Sequence, residues 1–564
     1  MSKLFKKISM IAASAILAFT CVACGGGGGD NSNGGGNSNK GNESVDASKT
    51  QLTVKYYGAG YGDEWINNYI KAFEEKYKDY KNGDKVGVQV TTDPAMTKYG
   101  SVEELRTNAN DVYFLEGVDF STFAKNGAFE DISSIVTTEN EDGRTIESKL
   151  SETQKSYFSV GGKYYGLPHY TGAYGLVYNK DLFEKHNLYI KDGATVADFF
   201  ISSSTDKKSA GPDGKTGVID GIDYSADDGL PATYDEFFML LDYINGNSKT
   251  LGIKKPIAFS GKYKDAYTAD FMNLLAANYN GVEQHELTLS YEGKATKLVK
   301  MTADGKVDLS TGSVQLEETV VSSKNGYELA RQAGVYYGAT FLEKLLTNGT
   351  AKDPTYVPSV SLGGSFTHKQ AQKAFLDGDY ALLLDGDWWL SEASASISSS
   401  DKMTRKFGWM PLPHATTAQV GDKQVYADAM RSSAAVRAGL DAATKDLAMK
   451  FVQGFYTDSN LVEFTKTTST LIGVDYKTAL NAAKSELTPY AVTLNDFIQT
   501  ADVSYQITNK DFYNLHYNTL LPTEYFKVGG KAPLSCMIDK DKTMTAKTYF
   551  EEFYKQMKAK TIWG

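Results

Sequence analysis

The stretch that decides the fold reads GGKYYGLP (161–168), HYTGAYG (169–175) and LVYNKDLF (176–183). The pair Gly161-Gly162 is typical of a hairpin turn, and Pro168 ends the following strand because proline cannot donate to a sheet ladder. A second apolar strand follows, after which Asn179 and Asp181 can cap the start of a helix. The stretch therefore predicts a strand, a short crossing segment, a second strand and a helix.

The residues before this stretch alternate between strand and helix patterns. Leu52, Val54 and Tyr56 alternate as one face of a strand, and apolar residues then recur at helical spacing from Trp65 to Tyr77. Further strands are predicted over 86–90 and 111–115. This alternation favours an α/β fold with a mainly parallel sheet. Ligands bind such sheets beyond the carboxyl ends of the strands, which here are residues 57–65 and 116–119.

Five further motifs follow in order along the chain. They are PATYDEF (231–237), FLDGDYA (375–381), GDW (386–388), PLP (411–413) and AMKFV (448–452). Together with the 161–183 stretch, they resemble the extracellular solute-binding proteins of bacterial ABC importers, in particular the sugar-binding group that includes maltose-binding protein. This chain differs from that group in being longer, with apparent insertions over 189–229 and 283–325 and a long tail after Thr488.

The resemblance implies an α/β, two-lobe periplasmic-binding-protein-like fold with an inter-lobe ligand cleft and crossing hinge strands. Lobe one is expected over 51–168, lobe two with insertions over 169–424, and a return to lobe one over 425–475. The C-terminal helices over 476–564 are expected to pack on lobe two. Closure around a ligand would be a hinge motion, for which periplasmic binding proteins are a known example.

The N-terminus resembles a bacterial lipoprotein signal. Lysines precede an apolar run of about 15 residues, which is short for a membrane span of ~20 residues. The sequence Cys21-Val22-Ala23-Cys24 then leads into glycines, so residues 1–23 are predicted to be a signal peptide and Cys24 the lipidated residue. Cleavage before Cys21 and an uncleaved membrane anchor are the alternatives. Residues 24–50, rich in Gly, Ser and Asn, are predicted to form a flexible tether.

Composition excludes several classes of function. A net charge of −10 leaves room for only a small basic patch, whereas nucleic acid requires a basic stripe, so no nucleic-acid partner is expected. The histidines and cysteines lack metal-ligand spacing, so no metal and no cofactor are expected. The aspartates of 206–228 could bind Ca²⁺, although a plain acidic insertion is the favoured interpretation.

The candidate ligand-binding residues combine aromatic rings with carboxylates and one arginine, as a sugar requires. They are Tyr57, Glu116, Asp119, His169, Tyr170, Tyr174, Asp387, Trp388, Trp389, Trp409, Asp428 and Arg431. The resemblance implies that a tryptophan of the Gly-x-Trp motif stacks on the ligand. Strand alternation places one of Trp388 and Trp389 in the core. Glu116 and Asp119 could instead be a charge pair at a helix N-terminus, and Arg431 a surface ion pair.

These features predict a monomeric, lipid-anchored protein on the extracellular face of the cell membrane. It would capture a carbohydrate, in particular an oligosaccharide, and deliver it to the transmembrane subunits of an ABC permease without changing it chemically. The alternatives are a secreted glycoside hydrolase, which would need two facing carboxylates, and a carbohydrate sensor or adhesin.

Overall fold

The computed structural model describes most of the chain beyond the tether. The described residues are 45–58, 60–94, 99, 101–107, 110–116, 119–189, 218–219, 222–223, 229–349, 353–429, 432–541 and 543–564. Cys24, Arg431 and most of the aspartate-rich segment 206–228 lie outside them.

The strands form two main sheets and several short pairs. In chain order they are β1 Thr50–Lys55, β2 Lys81–Asn82, β3 Lys85–Val86, β4 Val88–Asp93, β5 Val112–Glu116, β6 Ser159–Val160, β7 Lys163–Tyr164, β8 Leu167–Pro168, β9 Tyr174–Asn179, β10 Val218–Ile219, β11 Ile222–Asp223, β12 Lys255–Ala258, β13 Gly293–Val299, β14 Leu316–Val321, β15 Tyr380–Gly386, β16 Phe407–Met410, β17 Val425–Asp428, β18 Ser432–Val436 and β19 Asp502–Tyr505.

Helices connect and cover these sheets. The α-helices are Glu64–Lys76, Val102–Thr107, Phe120–Lys125, Ser133–Thr137, Glu152–Phe158, Lys180–His186, Tyr234–Gly246, Ser248–Leu251, Lys264–Asn280, Val282–His285, Leu287–Ser290, Ala333–Thr347, Ser359–Leu362, His368–Leu376, Trp389–Glu392, Ser399–Thr404, Ala442–Phe455, Asp458–Thr468, Lys477–Ala482, Pro489–Thr500, Asp511–Leu515, Tyr517–Leu520, Pro522–Tyr525, Pro533–Met537 and Ala546–Lys558. Short 3₁₀ helices cover Glu147–Lys149, Gly326–Arg331, Ala393–Ser396, Thr417–Gln419 and Lys484–Glu486.

Lobe one is built on a five-stranded sheet with the order β4-β1-β5-β18-β8. β1 pairs in parallel with β4 and β5, whereas β18 is antiparallel to both β5 and β8. β18 returns from the second lobe, so it inserts into this sheet in the opposite direction. Trp65 packs against one face of the sheet. The centroid of its ring lies 5.3 Å from that of Phe114 in β5 and 5.4 Å from that of Phe464 in helix 458–468.

Lobe two is built on a four-stranded sheet with the order β12-β15-β9-β16. β12 and β15 are parallel, but β9 is antiparallel to both of its neighbours, β15 and β16. The prediction of a mainly parallel sheet is therefore wrong for this lobe. The two strands run in opposite directions because β9 begins at the junction between the lobes, whereas β15 ends there. The amide of Asp387, just after β15, donates to the carbonyl of Ala173, just before β9 (2.9 Å).

The helix starts predicted beside the key motifs are confirmed. The Asn179 side chain accepts a hydrogen bond from the Leu182 amide (3.2 Å) at the start of helix 180–186. Thr233 and Glu236 form a capping box at the start of helix 234–246, in which each side chain accepts from the backbone amide of the other. These caps fix where the two helices begin.

The last helix of the chain packs against helix 333–347. The helix Ala546–Lys558 buries Phe550 and Phe553, and the Phe550 ring lies 5.4 Å from that of Tyr336 in helix 333–347. Cys536, in the helix before it, is a buried free thiol.

Candidate functional site between the lobes

Three chain segments meet side by side where the two lobes join. The amide of His169 donates to the carbonyl of Ser432 (3.1 Å), and the amide of Thr171 donates to the carbonyl of Leu471 (2.9 Å). Segment 169–173 connects β8 to β9, so it carries the chain from lobe one into lobe two. Its backbone is therefore held on both sides at the point of crossing.

Thr171 connects side chains of both lobes. Its carbonyl accepts a hydrogen bond from the Tyr61 hydroxyl of lobe one (3.1 Å), and its own hydroxyl donates to the Asp387 carboxylate of lobe two (2.7 Å). Thr171 is buried, so both bonds are shielded from water. A hydrogen bond in such surroundings costs free energy when it is broken without replacement.

Asp387 is a buried carboxyl at this junction. It accepts hydrogen bonds from the hydroxyls of Thr171 and Tyr426, while its Oδ1 atom has no partner among the described residues. Burial raises the pKa of Asp387 to about 7, because the charged form loses its hydration, and the nearby Asp428 acts in the same direction. Asp428 is itself buried and accepts from the Gly172 amide (3.1 Å).

Trp388 lies between the lobes with 5% of its surface exposed. Its ring centroid is 5.2 Å from that of Tyr174 and 6.5 Å from that of Tyr61. The ring folds back over Gly386, where a Cβ atom would come within 2.3 Å of it. The glycine of the Gly-x-Trp motif thus provides the space that the tryptophan ring occupies.

Beside Trp388, on the side of lobe one, lie Tyr61, Tyr170 and Glu116. The rings of Tyr61 and Tyr170 stack with centroids 3.9 Å apart, and the Tyr170 hydroxyl donates to the Glu116 carboxylate. Glu116 is the last residue of β5 and is partly exposed. An aromatic pair and a carboxylate are therefore assembled beside Trp388.

Other candidate residues have structural contacts. Asp119 caps helix 120–125 by accepting from the amide and the hydroxyl of Thr122. Trp389 is fully buried in the core of lobe two beside Phe375, Phe407 and Tyr490. Trp409 is also buried, and its ring covers Gly175. Tyr57 is half-buried at the end of β1.

His169 is enclosed by aromatic rings of lobe one. Its ring lies 4.5 Å from Phe114 and 5.0 Å from Trp65, and Nδ1 is 3.0 Å from the Ser432 hydroxyl. Burial lowers the pKa of His169 to about 3, so the imidazole is neutral at physiological pH. This contact joins segment 169–173 to β18.

Sequence reasoning missed three residues of this junction: Tyr61, Thr171 and Tyr426. Tyr61 belongs to the loop after β1 that was expected to approach a ligand, and Thr171 stands between two candidates, Tyr170 and Tyr174. Tyr426 precedes Asp428 by two positions on β17, so the two side chains share a face of that strand. The sequence signal that could have identified these three residues was therefore their position close to the candidate residues.

Two open spaces lie between the lobes near the crossing strands. A cavity of about 280 Å³ is lined by Thr171, Tyr426 and Asp428, together with residues of 148–151 and 471–477. A groove of about 450 Å³ lies between helix 152–158 and residues 505–510. Tyr505 borders both spaces. Their volumes are close to those of pockets that hold small molecules, roughly 300–1,000 Å³.

Two features are absent from the described parts of the chain. No helix there is both long and apolar enough to cross a bilayer. Within the same residues, no three His, Cys, Asp or Glu side chains form a group that could hold a metal ion.

The sequence and the structure are similar to those of known binding proteins. Residues 59–320 match the model of the family described as bacterial extracellular solute-binding protein. A solved chitin oligosaccharide binding protein aligns with 91% of this chain and 98% of its own, at a TM-score of 0.50 and 17% identity. That likeness confirms the predicted two-lobe fold.

Two more solved structures align over most of the chain. A protein described as SBP RafE in complex with raffinose covers 91% of this chain and 100% of its own, with a TM-score of 0.49 and 15% identity. A Thermus thermophilus maltotriose binding protein bound with maltotriose covers 90% and 99%, with a TM-score of 0.48 and 17% identity. No curated protein sequence matches the chain.

Asp387→Asn is expected to weaken the dependence of stability on pH. The native carboxyl keeps its proton up to about pH 7, whereas an unfolded aspartate releases it near pH 4. The native state therefore binds more protons between these values, and this contribution to the free energy of unfolding falls as the pH rises from about 4 to about 7. At about 1.4 kcal/mol for each tenfold change in proton affinity, the loss is on the order of 2–4 kcal/mol.

Urea unfolding measured across this pH range tests the prediction. The decline in unfolding free energy should be shallower in Asp387→Asn than in the wild type, because the amide does not titrate. The exposed Asp541 provides the control, and Asp541→Asn should keep the wild-type slope. Equal slopes in wild type and Asp387→Asn would contradict a proton held at this position.

Proposed function

Residues 59–320 match the family of bacterial extracellular solute-binding proteins, and on this premise we propose that the protein captures a carbohydrate, in particular an oligosaccharide, and delivers it to the permease subunits of an ABC importer. The ligand would bind between the lobes and be released without covalent change. The observation that carries this proposal is the meeting of aromatic rings and carboxyls from both lobes at one junction, around Tyr61, Tyr170 and Trp388.

A sugar suits this junction chemically. Its hydroxyl groups donate hydrogen bonds to carboxylates such as Glu116, and its C–H faces pack on aromatic rings such as Trp388. A carbohydrate is also the solute named for the chitin oligosaccharide binding protein whose fold this chain shares. These points favour an oligosaccharide over a peptide or an ion.

The opening of the lobes would expose these residues to the ligand. In the described conformation Trp388 is almost completely covered by neighbours from both lobes, including Tyr61 and Gly60 of lobe one. A hinge motion at segment 169–173 would separate Tyr61 from Trp388. A ligand that contacts both lobes would then favour the closed arrangement, because only that arrangement offers it both sets of contacts.

We propose that the chain is divided into two lobes, each built around one of the two main sheets. Lobe one would comprise 51–168 and 425–475, and lobe two 169–424, with 476–564 packed on lobe two. The strands β1, β4, β5, β8 and β18 share one sheet, and β9, β12, β15 and β16 share the other, in support of this division.

Trp388→Ala is expected to weaken oligosaccharide binding at least tenfold. Removing the indole takes away the largest aromatic surface at the junction, and a tenfold loss corresponds to about 1.4 kcal/mol. Isothermal calorimetry against a panel of mono- and oligosaccharides measures the change, after the wild type has identified the best sugar of the panel.

Trp389→Ala is the matched control. Trp389 is the core member of the pair, so its loss should mainly lower stability, by about 3–5 kcal/mol, as for other large buried aromatic residues. Unchanged affinity in a folded Trp388→Ala protein would show that the ligand does not stack on this ring.

We also propose that Cys24 carries a lipid that holds the protein on the extracellular face of the membrane as a monomer. The lysines, apolar run and Gly-flanked cysteine of the leader support this.

Cys24→Ala should release the protein into the medium or leave its leader uncleaved, since acylation and processing need the thiol. Cell fractionation with mass spectrometry of the N-terminus tests this. A Cys24→Ala protein that is processed normally and retained in the membrane would contradict lipidation; Cys21→Ala is the matched control and should remain anchored.

A further inference from the structure

A buried acidic network lies directly beneath Trp388 in lobe two. Asp385, near the end of β15, is almost completely buried. Its Oδ1 atom accepts hydrogen bonds from the Tyr267 hydroxyl (3.2 Å) and the Gly386 amide (2.8 Å), and its Oδ2 atom accepts from Nε2 of Gln372 (3.1 Å). Each of these donors is neutral.

A second carboxyl shares the same amide group. Nε2 of Gln372 also donates to Oε2 of Glu392 (2.7 Å), and the other oxygen of Glu392 lies 3.3 Å from Nε2 of His368. Two carboxyls are thus bridged by one NH₂ group. The Oε1 atom of Gln372 is buried and has no partner among the described residues.

Burial and the nearby Glu392 penalise negative charge on Asp385, against the hydrogen bonds from Gly386, Gln372 and Tyr267, which favour it. Burial, and then the charge of Glu392, raise the pKa of Asp385 to about 8. His368 faces Glu392 rather than Asp385, and burial lowers the pKa of that imidazole, with Lys262 and Lys369 acting in the same direction. Tyr490 is a further titratable neighbour of Asp385, and Tyr267 donates to it.

Two short routes connect Asp385 to Trp388. The first is a series of rings: Tyr267 packs on Tyr174 with centroids 5.1 Å apart, and Tyr174 packs on Trp388 at 5.2 Å. The second is Gly386, whose amide is bound by Asp385 and whose Cα is covered by the Trp388 ring. A change in the hydrogen bonds of Asp385 therefore acts on the ring from two sides.

We propose that Asp385 is a positioning residue for Trp388: its uncharged carboxyl holds Tyr267 and Gly386 in place, and release of its proton to solvent shifts the indole ring. The ionised carboxyl would repel Glu392 across the shared Gln372 amide and bind the Tyr267 hydroxyl more strongly. The consequence for ligand binding rests on the proposed function, in which Trp388 contacts the sugar. Oligosaccharide affinity would then fall as the pH rises through the titration of Asp385.

Fluorine NMR of protein labelled with 5-fluorotryptophan tests this without any ligand. The chain has five tryptophans, and the Trp388 signal is assigned by its loss in Trp388→Phe. In the wild type this signal should shift with a midpoint near pH 8. Asp385→Asn should abolish the transition, and Glu392→Gln should lower its midpoint because a neighbouring negative charge is removed.

Asp387→Asn separates this effect from that of the adjacent carboxyl. Asp387 directly precedes Trp388 and titrates at lower pH, so the transition assigned to Asp385 should persist in Asp387→Asn. A transition near pH 8 that survives in Asp385→Asn, or its absence in the wild type, would overturn the proposal. If Asp385→Asn does not fold, Glu392→Gln decides, and an unchanged midpoint there would overturn it.

The ligand readout is a separate second step. For the sugar that binds best in calorimetry, the dissociation constant should increase between about pH 7.5 and about pH 9 in the Asp387→Asn background, whereas that of Asp385→Asn in the same background should stay level. A protein that binds no sugar but shows the NMR transition would contradict the proposed function and leave the role of Asp385 standing.

Discussion

The contact between Thr171 and Asp387 is the constraint on which the junction depends. A hydroxyl on the crossing segment donates to a carboxyl of lobe two, and the carbonyl of the same threonine accepts from Tyr61 of lobe one. Both lobes are therefore tied to one residue at the point where the chain passes between them. Rotation of the lobes must take place around this residue or break its hydrogen bonds.

Buried carboxyls surround this point, and burial determines their charge. Asp387 and Asp385 lie two residues apart at the end of β15, and the loss of hydration raises the pKa of both. Protonation keeps such groups compatible with a hydrophobic environment, because an unpaired buried charge is costly. The junction and the ring of Trp388 are thus built on acids that keep their protons to a much higher pH than an exposed aspartate.

Much of the local structure follows from local sequence signals. The caps at Asn179 and Thr233 and the apolar stripe that begins at Trp65 each depend on residues a few positions apart, so sequence spacing predicts them. Trp389 is the core member of the tryptophan pair, as expected, but strand alternation is not the reason, because β15 ends at Gly386 and Trp389 begins a helix. The family resemblance, confirmed over residues 59–320, supplied the two-lobe arrangement.

Contacts between residues far apart along the chain could not be predicted from the sequence in this way. The reversed direction of β9 depends on where the chain enters lobe two, and the partners of Thr171 are 110 and 216 positions away in the sequence. No periodicity encodes such pairs. The bridging of Asp385 and Glu392 by Gln372 likewise needs β15 and two helices in their final positions.

The central claim is that the two lobes close on a sugar and release it unchanged. Small-angle X-ray scattering with and without the best oligosaccharide, followed by chromatography of that sugar, tests it most directly. We expect a smaller radius of gyration in the presence of the sugar and recovery of the sugar intact. A radius that no sugar alters, or shorter saccharides in the recovered material, would contradict it.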